Sequence, residues 1–305
     1  MITHCVPGRW PEPIAPDRFA ATIRRDDPRG CRVALLGLAD DLGVRLNRGR
    51  PGAAGGPSAF RAALARYGAA EPAGFCWPPV YDAGDVPAAP GEDAGALLET
   101  HRRVTEAARE LLALGLMPVG IGGGHDLTLP LVRAVIEHEA PARVACVYFD
   151  AHLDVREMPG SGMAFRELIA EHNVGPITCV GASALVNSRA HAEWFGARGR
   201  VLAEPLEEAA VLSALGAPPR LAVSLDLDCL DAAHAPGVSA VNPAGFPPAR
   251  VAGWVRAAGA SPGLRCFDVM ELCPAYDESG RTARVAAHMV LSLLRGIADR
   301  PGPPA

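Results

Sequence analysis

The sequence contains no lysine, and all 29 of its basic residues are arginine. A chain without lysine cannot form a Schiff base with a carbonyl substrate, and it cannot use a P-loop lysine to bind phosphate. Aromatic residues are also scarce, at 5% of the chain, whereas hydrophobic residues make up 49% of its 305 positions. Aliphatic side chains therefore have to build the core, and the chain is long enough to bury a large one.

Eight cysteines are present, but no two of them form a Cys-x-x-Cys pair. This scattered pattern is typical of free thiols in a reducing compartment rather than of a disulfide framework. The sequence has no apolar run of membrane-spanning length and no basic segment followed by an apolar stretch near residue 1. A net charge of −5 and a pI near 6.0 give no reason to expect nucleic acid or an anionic membrane as partner. We therefore expect a cytoplasmic protein that acts on a small molecule.

Short apolar runs alternate with segments of helical periodicity along most of the chain. Strands are predicted over residues 31–38, 117–121, 143–149, 177–182, 221–226 and 264–269, and helices over 57–67, 92–114, 127–139, 187–195, 204–215, 248–259 and 283–298. This alternation indicates a parallel sheet that is covered by helices on both faces. We predict one α/β domain over residues 31–305, preceded by an irregular extension over residues 1–30.

Polar clusters follow three of the predicted strands. They supply two imidazoles and four carboxylates: His125, then Asp150, His152 and Asp154, then Asp226 and Asp228. Ligand sites in parallel sheets lie at the carboxyl ends of the strands, and so many carboxylates cannot be buried together without cations. Because oxygen donors outnumber imidazoles and thiolates are absent, the set favours Mn²⁺ over Zn²⁺ or Fe²⁺. The sequence therefore predicts metal-assisted chemistry, in which two ions lower the pKa of a shared water.

A single aspartate or histidine has a simpler explanation than metal binding. Asp126 and Asp231 are compatible with helix caps or turns, and an isolated histidine such as His101 is more often a core or surface residue. Three clusters that all lie at predicted strand ends are much harder to explain in this way. The metal prediction therefore depends on the combination and not on any one residue.

Three ordered motifs carry a family resemblance: GGGHD over 122–126, DAHLD over 150–154 and SLDLDCLD over 224–231. They resemble the ureohydrolase superfamily of arginase, agmatinase and formimidoylglutamase, and the resemblance covers most of the chain from Cys31 onward. It implies a three-layer α/β/α fold with a parallel eight-stranded sheet, two Mn²⁺ ions per subunit and a homo-oligomer. It also implies the metal ligands: His125 and Asp154 for one ion, His152 and Asp228 for the other, and Asp150 and Asp226 as bridges.

Within this superfamily, the loop over residues 161–166 is most similar to that of formimidoylglutamase. Arginase-like sequences usually have aspartate before the first histidine, where this chain has Gly124. The loop also lacks the histidine patterns of arginase and agmatinase, since Phe165 stands near the arginase position. The expected reaction is hydrolysis of the C–N bond of N-formimidoyl-L-glutamate to L-glutamate and formamide, a step of histidine degradation.

The same resemblance assigns Glu271 to the amidine nitrogens of the substrate, and we expect Asp154 to pass a proton to the leaving amine. A substrate with two carboxylates also needs cationic or polar partners. We expect these in Arg166, Asn47 and Asn187, with the other arginines of the loop over 45–50 as further candidates. Cys273 stands where the related sequences usually have asparagine. The resemblance therefore does not predict the contacts around Glu271.

Three other interpretations are compatible with parts of the pattern. An agmatinase, guanidinobutyrase or arginase would release urea, but the loop over 161–166 argues against it. A catalytically silent relative would keep the fold as a binding or regulatory subunit, although all six ligand positions are filled. A zinc deacetylase of related fold would use a single Asp/His/Asp site and would not need His125 or Asp228.

Overall fold

The computed structural model describes residues 2–68, 70, 75–171 and 173–300. Within them the strands are β1 (Val33–Ala39), β2 (Val80–Pro87), β3 (Met117–Ile121), β4 (Val144–Phe149), β5 (Val174–Val180), β6 (Arg200–Leu202), β7 (Leu221–Asp226) and β8 (Leu264–Met270). They form one sheet in the order β2-β1-β3-β8-β7-β4-β5-β6, and every neighbouring pair is parallel. The prediction of an eight-stranded parallel sheet is confirmed.

Helices cover both faces of this sheet. They are α1 (Leu42–Leu46), α2 (Gly56–Leu64), α3 (Ala94–Ala113), α4 (Thr128–Glu139), α5 (Ala164–Ala170), α6 (Arg189–Gly196), α7 (Glu208–Gly216), α8 (Pro248–Ala260) and α9 (Arg281–Ala298). Alternate residues of β1 show the layering, because Leu35 packs in the cluster that contains Phe60 of α2, and Leu36 packs in the cluster that contains Val104 of α3. The predicted α/β/α arrangement is therefore confirmed. Among the described residues, no helix combines the length and apolarity needed to cross a bilayer.

Two strands and two short helices escaped the sequence patterns. The strand β2 contains Asp82 and Asp85, which interrupt the apolar run that a buried strand usually shows. The strand β6 is only three residues long and is largely exposed. The helices α1 and α5 lie in segments that the sequence suggested were loops, and both are too short to show a clear helical period.

Residues 2–30 run along the outer edge of the sheet with one short 3₁₀ turn, Phe19–Thr22. Val6 pairs antiparallel with Asp85 of β2, and Arg24 forms a parallel bridge with Tyr81 of the same strand. Phe19 is buried in the main core together with residues of α2. The segment has little regular structure, but it is hydrogen-bonded to β2 and packed against the domain.

A buried ion pair joins α2 to β2. The guanidinium of Arg61 donates to both carboxylate oxygens of Asp82, at 2.9 and 2.8 Å, and to Asp85 at 2.6 Å. The indole N–H of Trp10 also donates to Asp82, at 2.6 Å. Arg61 is only 2% exposed, so its charge and the two carboxylates are compensated by one another rather than by water.

We predict that Arg61→Met lowers the free energy of unfolding by about 3–5 kcal/mol, because it leaves two buried carboxylates without a cation. Urea unfolding followed by circular dichroism measures the change. The matched control is Arg102→Met, since Arg102 pairs with Glu99 and Glu106 on the exposed face of α3 and should matter little. Equal effects of the two substitutions would contradict a structural role for the buried pair.

Candidate metal centre

Four neighbouring strands in the middle of the sheet, in the order β3-β8-β7-β4, end at the same edge. His125 follows β3, Asp150 follows β4, Asp226 ends β7 and Glu271 follows β8. Because parallel strands share one carboxyl edge, residues that are far apart in sequence meet there. The structure thus brings together the residues that the three sequence motifs singled out.

Two clusters of potential metal ligands share Asp150. In one cluster His125, Asp150 and Asp226 offer ligand atoms that lie within 4.8 Å of one another, and in the other Asp150, His152 and Asp228 do so. The buried carboxylate of Asp150 turns a different oxygen to each cluster. Its Oδ2 lies 3.1 Å from Nδ1 of His125, and its Oδ1 lies 3.3 Å from Nδ1 of His152. A carboxylate in this position can bridge two ions.

The same local turn orients two of the aspartates. Oδ1 of Asp150 accepts a hydrogen bond from the N–H of His152 at 2.6 Å, and Oδ1 of Asp226 accepts one from the N–H of Asp228 at 2.7 Å. An aspartate that binds the backbone N–H two residues on forms an Asx turn. Each turn fixes one oxygen and leaves Oδ2 directed towards His125.

The backbone that carries these ligands is not extended. It leaves the strand at Asp150, and Asp154 adopts a left-handed conformation with a φ of +48°. Aspartate tolerates this region better than most residues because its short polar side chain can bond locally.

Nδ1 of His125 faces three carboxylates. The Oδ2 atoms of Asp150, Asp154 and Asp226 lie 3.1, 2.9 and 3.1 Å from it. One ring N–H can satisfy only one of them, and within the described residues Nδ1 of His125 and Oδ2 of Asp150 have no well-formed hydrogen bond. Neighbouring vertices of an octahedron with metal–ligand bonds of about 2.1 Å lie about 3 Å apart. The donor set therefore fits a divalent cation.

Burial and mutual repulsion perturb the carboxylates strongly. Burial, together with the charges of Asp154 and Asp228, raises the pKa of Asp150 to about 6. Burial raises the pKa of Asp226 well above its ordinary range, with Asp228 adding to the effect. For His152 burial lowers the pKa, but Asp228 and Asp150 outweigh it and raise the pKa to about 12. A bound dication would reverse this pattern by favouring ionised carboxylates and neutral imidazoles.

A buried polar chain orients His125 from behind. Its Nε2 lies 3.0 Å from Oγ of Ser224, and that hydroxyl donates to Oδ1 of Asp268 at 2.5 Å. Thr128 also contacts Ser224, at 3.1 Å. Outer hydrogen bonds of this kind fix the ring and its tautomer, so that the other nitrogen is free to bind a metal. The three motifs give these residues no role, although a polar residue inside each of the apolar strands β7 and β8 is a usable signal.

Glu271 lies beside the two clusters. Its Oε1 accepts the backbone N–H of His125 at 3.0 Å, while Oε2 has no hydrogen-bond partner among the described residues. Burial, with a further contribution from the charge of Asp226, raises the pKa of Glu271 well above its usual value. Glu271 also adopts a φ of +64°, a conformation that is uncommon outside glycine and often found at functional sites. A cationic ligand group would complement its unpaired oxygen.

A cavity of about 170 Å³ opens over these residues. The inner lining is acidic and includes Asp154, Asp226, Asp228 and Glu271, with His152 beside them. The outer lining is polar and comes from several loops: Asn47, Arg156, Ser161, Asn187, His191 and Ser239. A small molecule that carries a cationic end and an anionic or polar end would match this gradient.

Of the three predicted substrate contacts, two line the cavity. Arg166 does not line the cavity among the described residues, because its guanidinium binds Val155 and Glu157 and stacks on Trp194. Trp194, which lies on the distant helix α6, contacts the side chain of Arg166 outside the cavity. Asn47 does line the cavity and donates to Ser161 at 3.0 Å.

Asn187 lines the cavity, but its amide is already engaged. Its Nδ2 donates to the carbonyl oxygens of Ala151 and Ser183, both at 2.8 Å, and its Oδ1 accepts the N–H of Leu153 at 2.9 Å. These bonds hold the backbone on either side of His152. Asn187 therefore fixes the loop that carries a potential metal ligand, and its polar atoms have little capacity left for a substrate.

Comparison with known proteins agrees with this geometry. The family model described as the arginase family matches residues 31–295. A curated formimidoylglutamase of Aromatoleum aromaticum is 38% identical over 88% of this chain and 84% of its own length, and one of Aeromonas hydrophila is 37% identical over 86% of each. The structure of Trypanosoma cruzi formiminoglutamase with Mn²⁺ is 28% identical, covers 90% of this chain and 96% of its own, and superposes with a TM-score of 0.83. The chain therefore belongs to the arginase family.

Proposed function

We propose that this protein hydrolyses N-formimidoyl-L-glutamate to L-glutamate and formamide at a centre of two Mn²⁺ ions. The observation that carries the proposal is the pair of ligand clusters that share Asp150 beside Glu271. The names of the similar curated proteins, formimidoylglutamase in each case, support the substrate. The ion is supported by the donor chemistry and by the related structure with Mn²⁺.

The proposed ligands follow the two clusters. His125 and Asp154 would hold one ion, His152 and Asp228 the other, and Asp150 and Asp226 would bridge them. The Oδ2 of Asp226 lies 3.1 Å from His125, whereas its Oδ1 accepts the N–H of Asp228. When bound, the ions would supply a water of lowered pKa as the attacking group. The side chain of His152 is 31% exposed. The second cluster therefore lies nearer to solvent than the first.

Glu271 and Asp154 would serve the substrate. The amidine is a cation at neutral pH, and its N–H groups can donate to the unpaired Oε2 of Glu271. Asp154 lines the cavity and has a side-chain exposure of 13%, so it can hold a proton taken from the attacking water. That proton would go to the glutamate nitrogen as the C–N bond breaks. The amine would then take the remaining hydroxyl proton from the former amidine carbon, so that formamide and the ammonium form of glutamate are released.

We also propose that residues 31–305 act as one catalytic domain of a cytoplasmic homo-oligomer. The match of the family over residues 31–295 supports the extent of the domain. Size-exclusion chromatography with light scattering would test the assembly, and a monomer at assay concentration would exclude it.

We predict that Asp226→Asn lowers both metal content and turnover, with activity falling more than about a hundredfold, because a ligand of the buried cluster loses its charge. Metal analysis of protein reconstituted with Mn²⁺ checks the first effect, and a glutamate-release assay checks the second. Asp231→Asn is the matched control, since Asp231 caps the N–H of Ala233 outside the cavity. Full metal content in the Asp226 variant would refute the assignment of this ligand.

We predict a different pattern for Glu271→Gln. Metal content should stay near that of the wild type, while kcat/KM should fall about a hundred- to a thousandfold because a neutral amide stabilises the amidinium poorly. The exposed Glu278 provides the control substitution Glu278→Gln. Unchanged kcat/KM in the Glu271 variant would remove this residue from the mechanism.

The substrate itself is tested by a product assay on Mn²⁺-reconstituted protein. N-formimidoyl-L-glutamate, arginine, agmatine and 4-guanidinobutyrate are offered separately, and we expect glutamate and formamide from the first alone. Urea from any guanidine would keep the metal centre but overturn the proposed substrate. For agmatine the physical reason is that its cationic tail would meet an arginine at the outer cavity. For arginine and 4-guanidinobutyrate the expectation rests on the loop over residues 161–166.

A further inference from the structure

We propose that Arg156 binds a carboxylate of the substrate and so sets the preference for amidines with an anionic tail. This inference deepens the proposed function and rests on it. The sequence suggests Arg166, ten residues further along the chain, for this contact. The geometry moves it to a residue to which the motifs gave no role.

Arg156 is the sole arginine among the described residues that line the cavity. Within the same described part of the chain, no carboxylate lies within ion-pair distance of its guanidinium and no acceptor binds it. Of the three loop arginines, Arg45 pairs with Glu92 and Arg50 donates to carbonyl oxygens, while Arg48 does not line the cavity. A guanidinium at a cavity mouth with all five of its donors free is suited to bind a carboxylate with two parallel hydrogen bonds.

The stem of Arg156 is held although its head is free. Its backbone N–H donates to the carbonyl oxygen of Gly162 at 2.8 Å. Its side chain crosses Gly162 so closely that a Cβ there would lie 3.0 Å from Cδ and 3.1 Å from Nε of the arginine. The same Cβ would lie 3.0 Å from Nδ2 of Asn47. Glycine at this position therefore makes room for both polar side chains at the cavity mouth.

Arg166 fixes the loop on both sides of Arg156. It donates to the carbonyl oxygen of Val155 at 3.2 Å and to the carboxylate of Glu157 at 2.6 Å, and its guanidinium lies 4.4 Å from the ring centre of Trp194. The bonded residues immediately precede and follow Arg156. The residue predicted to bind the substrate is thus a positioning residue for the one that does.

The charge distribution of the cavity agrees with this assignment. Two divalent ions would offset the four aspartates of the clusters, and Glu271 would offset the amidinium of the substrate. Arg156 is then the one cation left among the described lining residues, and it would face the end of the substrate that carries carboxylates. A substrate with a cationic tail would be repelled at the same place.

The test compares Arg156→Met and Arg156→Lys with wild type on four Mn²⁺-dependent substrates. These are N-formimidoyl derivatives. That of L-glutamate carries both carboxylates, those of 4-aminobutyrate and L-norvaline carry one each, and that of butylamine carries neither. Arg156→Met should raise KM about ten- to a hundredfold for the L-glutamate derivative. The same rise is expected for whichever monocarboxylate derivative keeps the carboxylate that the arginine binds. Arg156→Met should leave the KM for the butylamine derivative unchanged. Arg156→Lys should give an intermediate effect, because lysine lacks the planar guanidinium that pairs with a carboxylate.

Two further variants separate contact from general charge and from folding. Arg189→Gln removes the same charge from an exposed position that does not line the cavity. It should change the KM of all four substrates only slightly and to the same extent. Gly162→Ala keeps the charge but displaces the arginine, and should reduce selectivity in the same direction as Arg156→Met. Gly162 has a φ of −86°, so alanine is compatible with its backbone.

Uniform effects of Arg156→Met on all four substrates, or none on any, would overturn the inference. Selectivity lost in Arg166→Met but retained in Arg156→Met would return the contact to Arg166. Failure of the proposed function is recognised separately, as absence of turnover of all four by wild type. In that case calorimetric binding of L-glutamate to the Mn²⁺-loaded protein still decides, since Arg156→Met should weaken it at least tenfold relative to Arg189→Gln.

Discussion

The burial of carboxylates at the ends of three central strands is the constraint on which the rest of the structure depends. Asp150, Asp226, Asp228 and Glu271 are each less than 5% exposed and lie within one small volume. Burial and mutual repulsion raise the pKa of Asp150, Asp226 and Glu271, so compact folding of the ionised site needs positive charge. Ion binding and the final ordering of these loops are therefore thermodynamically coupled. The centre contributes to the stability of the sheet edge as well as to its chemistry.

Much of the surrounding polar structure serves orientation. The Asx turns of Asp150 and Asp226 each fix one carboxylate oxygen, Ser224 fixes the ring of His125, and Asn187 fixes the backbone around His152. These bonds come from three strands and a distant loop. A metal centre held in this way keeps its geometry when the outer loops vary. The outer lining can then change its charge and thereby its substrate, while the inner ligand set stays the same.

The potential metal ligands could be predicted from sequence because each motif is local and because parallel strands share one carboxyl edge. The strands β2 and β6 could not, since Asp82 and Asp85 break the apolar pattern of one and the other has only three residues. Arg166 does not line the cavity among the described residues, and the reason is physical. The direction of a loop side chain depends on partners such as Trp194, which lies 28 positions away in sequence, and no local pattern records that contact. Loop contacts of this type are decided by packing, whereas ligand motifs are decided by strand order.

The irregular N-terminal segment has a consequence for solubility. An open parallel sheet has two outer strands whose unpaired N–H and C=O groups can recruit strands from other molecules. Here one outer strand, β2, is bridged by Val6 and Arg24, and the other, β6, is too short to template an extended ladder. A truncated chain that begins at residue 25 would expose the edge of β2, the longer of the two outer strands. The segment therefore limits self-association through the sheet edge rather than damage to the distant metal centre.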